Sequence, residues 1–293
     1  MTDQGVVFDL GYKPHDGPRL GRGAAVRATI RDGIRRVLGL RRKARKKILP
    51  WALFAIALLP AVVFVGLVFL TSQLGAGDVI DTVFASHATY FNVAASTVLL
   101  FCALAGPELL VPDRVDGVLN VYSSRPLTVR DYLLARGAAL AIVVAGFMLL
   151  PQMLLYLGLA ALRSGGFVSN LVATADEIPK LVAVAAAYLV AYGAPALLVA
   201  VLTRRLAAAT GIYVGLMFGL EAVAAGLSES GTRLAGLLAL IDHPSVVRDW
   251  VYGQTSELIP TDAGLEPAAS LAVIVGVLLV TALVAARRYR TLM

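Results

Sequence analysis

Apolar residues gather in six long runs, at 48–71, 88–105, 133–159, 181–202, 206–227 and 268–286, with charged residues almost confined to the stretches between them. Each run reaches or nearly reaches the ~20 residues that a helix needs to cross ~30 Å of hydrocarbon. The pattern predicts an all-α polytopic membrane protein with six transmembrane helices. Ahead of the first run, Val26, Ile30, Ile34, Val37 and Leu38 recur at helical spacing among twelve Lys and Arg between positions 19 and 47. That combination predicts a basic amphipathic helix lying in the membrane interface. Between the fifth and sixth runs, Leu234, Leu237, Leu238 and Ile241 make one stripe and Val246, Val247, Trp250 and Val251 a second, separated by Asp242, His243 and Pro244. Two short outer-leaflet helices are expected there, with Trp250 and Tyr252 in the aromatic belt. The chain thus divides into a tail with its amphipathic helix (1–47) and a six-span domain (48–293), which carries a central loop at 106–136 and a second loop at 228–267.

The central loop is the longest polar interruption on its side. Pro107 and Pro112 are expected to end the preceding helix, with Pro112 opening a new one. Asp113 and Asp116 then fall in its first turn, where the helix dipole favours acids. Val115, Val118, Leu119 and Tyr122 stand at i, i+3, i+4 and i+7, an apolar stripe on a helix of about three turns. Ser123, Ser124 and Pro126 end it, and Thr128 with Asp131 forms a capping box for the next helix. The stripe is too short to span a bilayer, so it needs lipid headgroups or a protein partner to cover it.

Composition agrees with the pattern: of 293 residues, 58% are hydrophobic and 15% charged, and mean hydropathy is +0.79. On the six-span arrangement, 22 of the 26 Lys and Arg fall on the side of the termini and 4 on the other. By the positive-inside rule both termini are expected in the cytoplasm, with the chain in the cell membrane. No apolar segment precedes the basic stretch, so the first run is expected to stay in the membrane rather than be cleaved. The single cysteine, Cys102, lies inside an apolar run, which leaves no intrachain disulfide and no cysteine metal cluster.

Within the spans, Pro60, Pro151 and Pro195 are either hinges or static kinks whose freed carbonyls neighbouring helices must satisfy. Gly211, Gly215 and Gly219 form a small-residue ridge on which another helix can pack closely. Glu221, Asn92 and Gln152 are candidates for a polar translocation path, with cross-helix bonding, or for Glu221 contact with outer water, as the alternative.

The three histidines, His15, His87 and His243, are scattered, and neither a His-Glu-x-x-His motif nor a Ser/His/Asp set can be assembled. No Gly-x-x-x-x-Gly-Lys-Ser/Thr phosphate loop occurs. The chain is therefore expected to be non-catalytic, and any ATP that drives it to be hydrolysed by another polypeptide. The basic helix lacks stacking aromatics and a base-reading fold, so no nucleic-acid partner is expected.

Gly106, Pro107, Glu108, Asp113, Arg114, Gly117, Val118 and Leu119, followed by Ser124, Arg125, Pro126, Leu127, Tyr132, Leu133 and Arg136, resemble the permease subunits of type-2 ABC exporters. Arg136 departs from the lysine of many such relatives but keeps the cation. The resemblance implies a half-transporter that binds no cofactor itself, with ATP and Mg on two copies of a separate ATP-binding subunit. It implies pairing through spans one and five with a second copy or a related permease. It also implies that the short helix between spans two and three is a coupling helix, with Val115, Val118, Leu119 and Tyr122 contacting the ATPase while Glu108, Asp113, Arg114 and Asp116 orient the element. The other readings are a non-transporting anchor for a cytosolic protein and a membrane-embedded lipid enzyme.

Overall fold

The computed structural model describes residues 17, 21–40, 43–74, 86–123, 127–229 and 231–291, and every regular element among them is a helix. Most of the N-terminal tail, and the helix stop expected at Ser124 and Pro126, lie outside the described residues. The amphipathic helix is α1 (Arg22–Val37). The six apolar runs become α2 (Arg45–Gln73), α3 (His87–Val115), α5 (Val129–Leu162), α7 (Glu177–Leu202), α8 (Leu206–Ser228) and α12 (Pro267–Arg290), each long and apolar enough to cross a membrane. Together they make a multi-pass membrane protein. Among the described residues five short helices lie in the connections: α4 (Leu119–Ser123), α6 (Phe167–Ala173), α9 (Arg233–Leu238), α10 (His243–Tyr252) and α11 (Ile259–Asp262).

Helices α3, α5 and α7 are the inner members, with α2, α8 and α12 around them. The core follows that order: Phe91, Phe101, Leu109, Leu140, Met148, Tyr188 and Tyr192 are buried, whereas Ile56, Leu59, Ile212, Phe218 and Leu279 point outward. An apolar exterior is what lipid solvates. Helix α10 closes one end of this core by packing on α7 and α12. Pro244 stands in its first turn, and Val246 and Val247 are buried while Trp250 is exposed.

The expected break at Pro107 and Pro112 does not occur: α3 runs through both to Val115. Proline removes the bond to the carbonyl four residues back, and for Pro107 that carbonyl, on Ala103, accepts instead from the Thr210 hydroxyl of α8 at 3.0 Å. Near two span prolines a hydroxyl also crosses between helices, but to the carbonyl three residues back rather than the freed one: Tyr90 OH donates to the Ala57 carbonyl before Pro60 at 3.0 Å, and Tyr213 OH to the Tyr192 carbonyl before Pro195 at 3.1 Å. At Pro107 the cross-helix hydroxyl supplies what the local backbone lacks, and the helix continues.

Helix α3 ends where its backbone turns left-handed. Gly117 has φ 66°, and Val118 N–H bonds back to the Asp113 carbonyl at 3.1 Å, the closing bond of a Schellman cap. The helix predicted from Pro112 over three turns is accordingly only the five residues of α4.

Candidate functional site at the basic end

Asp113 is the centre of the basic end. Lying in the last turns of α3 and 1% exposed, it is reached from two other helices. Its Oδ2 accepts from Arg136 Nη2 of α5 at 2.6 Å, from Arg136 Nε at 3.2 Å and from Tyr132 OH at 2.7 Å. Its Oδ1 accepts from Arg36 Nη1 of α1 at 2.7 Å. Asp32, one helical turn before Arg36, then bonds both Arg36 and Arg136 at 3.0 Å. Two carboxylates and two guanidiniums alternate around one point, so each buried charge has an opposite neighbour, as burial requires. Burial pulls the pKa of Arg36 down, but the charge and hydrogen bond of adjacent Asp113, with Asp32, outweigh it and hold the guanidinium above its ordinary range.

This cluster determines where α1 lies. The helix packs across α5 and α3 with Thr29, Gly33 and Val37 buried. Gly33 allows the close approach, because a Cβ there would stand 2.7 Å from the Ala139 Cβ. Beyond it, Arg22 makes a paired contact with Asp131, Nε to Oδ2 at 2.8 Å and Nη2 to Oδ1 at 2.7 Å. Asp131 also closes the capping box that the Thr128–Asp131 spacing predicts.

A column of rings extends the cluster sideways. Tyr122 meets Tyr132 and Tyr132 stacks on Tyr289 of α12, both at 5.5 Å between centroids. Tyr122 OH accepts from Arg136 Nη2 at 3.2 Å; burial, then the charge of Asp113, pushes this phenol above its usual range. Arg114 lies over the Tyr289 ring and donates to the Ala200, Val201 and Thr203 carbonyls that end α7. Free C-terminal carbonyls are a natural seat for a cation.

The central-loop residues singled out from the sequence therefore separate into two groups. Asp113, Arg114, Leu119 and Tyr122 face the chain itself; Leu119 is 5% exposed and belongs to the core. Glu108 is half-buried, 3.8 Å from Lys46. Val118 is half-buried, while Val115, Asp116 and Gly117 are exposed, Val115 by 60%.

The candidate path residues are not gathered together. Asn92 is exposed on α3. Gln152 is fully buried and clamps α3 to α5, accepting from His87 Nδ1 at 2.6 Å and donating to the His87 carbonyl at 3.1 Å. Glu221 accepts from the Ile241 N–H at 3.1 Å at the opposite end. Nearby Asp242, outside the spans, accepts from Ile259 N–H at 3.2 Å, yet burial still raises its carboxyl above the ordinary range. Gly211, Gly215 and Gly219 all face outward, with nothing within 4 Å of an added Cβ.

Sequence reasoning missed Asp32 and Arg36. Their one local signal is that Asp32 is the sole acid in a helix of arginines, four residues before Arg36.

No family model and no curated protein matches this chain.

Proposed function

We propose that the chain is the membrane permease subunit of an ATP-driven ABC exporter, with its basic end in the cytoplasm and a separate ATP-binding subunit docked there. The reading rests on the resemblance of the 106–136 segment. The observation that favours it is the clamp of Asp113, Arg36 and Arg136, which joins the end of α3, the start of α5 and helix α1 into one unit. A push on the exposed turn at Val115, Asp116 and Gly117 is thereby delivered to two inner helices together. A coupling element needs that stiffness, because ATP-driven motion of a partner does work only through contacts that do not yield.

On this reading the docking edge is narrower than the apolar stripe implies. Leu119 and Tyr122 hold the turn to its own chain, and Val115 with Asp116 meets the ATPase. Two copies, or this chain and a related one, pair on the outward glycine ridge of α8 together with α2, and substrate passes between them.

The test is Val115→Asp in the complex with its ATPase. Val115 is exposed, so the fold should persist. ATPase affinity should fall roughly tenfold, as for truncation of an interface anchor, and transport-coupled hydrolysis should fall with it. Unchanged binding and unchanged coupled hydrolysis would overturn this docking edge. Transport that continues when the partner's ATP hydrolysis is abolished would instead identify an anchor that moves nothing.

A further inference from the structure

We propose that a second feature of the basic end, a cavity of about 640 Å³ lined by Arg114, Arg204, Arg205 and Arg288, holds the phosphate-bearing headgroup of an anionic phospholipid. The four arginines come from three places: the last turns of α3, the α7–α8 connection and the last turn of α12. Among the described residues no acid lines the cavity. Among the described residues Arg204, Arg205 and Arg288 form no ion pair.

The contrast with the rest of that end is chemical. Arg22, Arg36 and Arg136 each have a carboxylate, and Asp32, Asp113 and Asp131 are all engaged on the α1–α5 side. The cavity's cations therefore repel one another, with no carboxylate between them among the described residues. Arg114 is fixed at its wall by the three α7 carbonyls, and its buried Nε has no acceptor. A phosphate, which accepts planar pairs of N–H bonds from guanidinium, supplies the missing charge.

Depth and surroundings select a lipid over a soluble anion. The cavity lies where α7 ends, α8 begins and α12 leaves the apolar layer, which is headgroup level. Leu202 and Leu206, flanking the Arg204–Arg205 pair, are exposed by 51% and 38%. Apolar side chains beside unpaired arginines match acyl chains beside a charged headgroup, whereas a soluble anion would leave that apolar surface against water.

The experiment uses the purified full chain exchanged between phosphatidylcholine and phosphatidylcholine with phosphatidylglycerol. Retained lipid is counted by native mass spectrometry and the thermal shift is recorded alongside. The wild type should retain phosphatidylglycerol and gain thermal stability from it. Arg204→Gln/Arg288→Gln should lower phosphatidylglycerol affinity roughly tenfold or more. The charge-matched pair Arg287→Gln/Arg290→Gln, whose arginines lie outside the cavity lining, should leave it nearly unchanged. Arg204→Lys/Arg288→Lys should recover part of the affinity and guards against a misfolded glutamine variant. Equal retention by the two glutamine variants would overturn the site. Displacement of phosphatidylglycerol by inorganic phosphate at equal concentration would overturn the lipid assignment in favour of a soluble anion. An acidic protein segment would be the occupant instead if only the ATPase, and no lipid, distinguished the two glutamine variants.

Discussion

Replacing Asp113 by asparagine keeps the side chain's shape and removes the more buried of the two charges that Arg36 and Arg136 share. In the wild type its two oxygens accept four bonds at 2.6 to 3.2 Å, three of them from guanidiniums. An ion pair near contact is worth about 4 kcal/mol at an effective dielectric of about 20. After the substitution Asp32 still faces both arginines, but their mutual repulsion is no longer balanced, and the new amide NH₂ points a donor at other donors. Breaking a buried ion pair by removing one member costs about 3–5 kcal/mol, and that range applies here because Asp113 and Arg136 are 1% and 0% exposed. Against a total stability of about 5–15 kcal/mol the loss is large. Unfolding in mild detergent, followed by circular dichroism, should show it, with α1 becoming sensitive to protease before the bundle melts. The companion Asp113→Leu/Arg136→Met removes both partners of the central pair and should recover most of the loss, with Arg36 then left to Asp32. A cost below about 1 kcal/mol for Asp113→Asn, or a double variant no better than the single, would refute the claim that this carboxylate holds α1 to the bundle.

Two further outcomes follow from the same physics. Gly33→Ala places a methyl 2.7 Å from the Ala139 Cβ and should cost about 1–3 kcal/mol by overpacking. Gly23→Ala in the same helix meets nothing within 4 Å and should be neutral or stabilising by up to about 1 kcal/mol; thermal scans of the pair compare the two sites directly. At the opposite end, burial raises the Asp242 carboxyl, so the folded state holds its proton more tightly than the unfolded state does. That contribution is fully present below the ordinary carboxylate range and is lost as pH rises through the raised value. Stability of the wild type should therefore fall, relative to Asp242→Asn, as pH rises from about 4, and parallel curves for the two proteins would refute the burial argument.

The six apolar runs are legible because a membrane-length helix needs only continuous hydrophobicity, and each observed helix contains its run, α3 extending furthest past it, to Val115. The Thr128–Asp131 capping box is equally local and forms as its spacing implies. What the chain does at Pro107 and Pro112 is not local. The fate of the Ala103 carbonyl depends on Thr210, over a hundred residues away, and no window around Pro107 contains that donor. Leu119 illustrates a second limit. Periodicity identifies an apolar face but is silent on what covers it, and here the cover is the chain's own core rather than lipid or a partner. Asp32 and Arg136 are also over a hundred residues apart, so the clamp becomes visible only once α1 lies across α5.

The arrangement of charge at the basic end carries one more step of argument. All its cations contribute equally to a count of Lys and Arg, yet two sets among them differ physically. Arg36 and Arg136 are neutralised by Asp32 and Asp113 and act as a rigid joint, weakly sensitive to salt because they are largely buried. Arg204, Arg205 and Arg288 have no ion-pair partner among the described residues and are more accessible, so their field acts outside the chain and is screened by salt. The exposed turn at Val115 to Gly117 stands between the two sets, fixed by the first and bordering the second. If an ATPase presses on that turn, the joint passes the displacement to α3 and α5. A lipid headgroup in the neighbouring cavity would then be displaced with it or oppose it. Lipid charge should therefore alter coupled hydrolysis in the wild type, but only weakly in Arg204→Gln/Arg288→Gln.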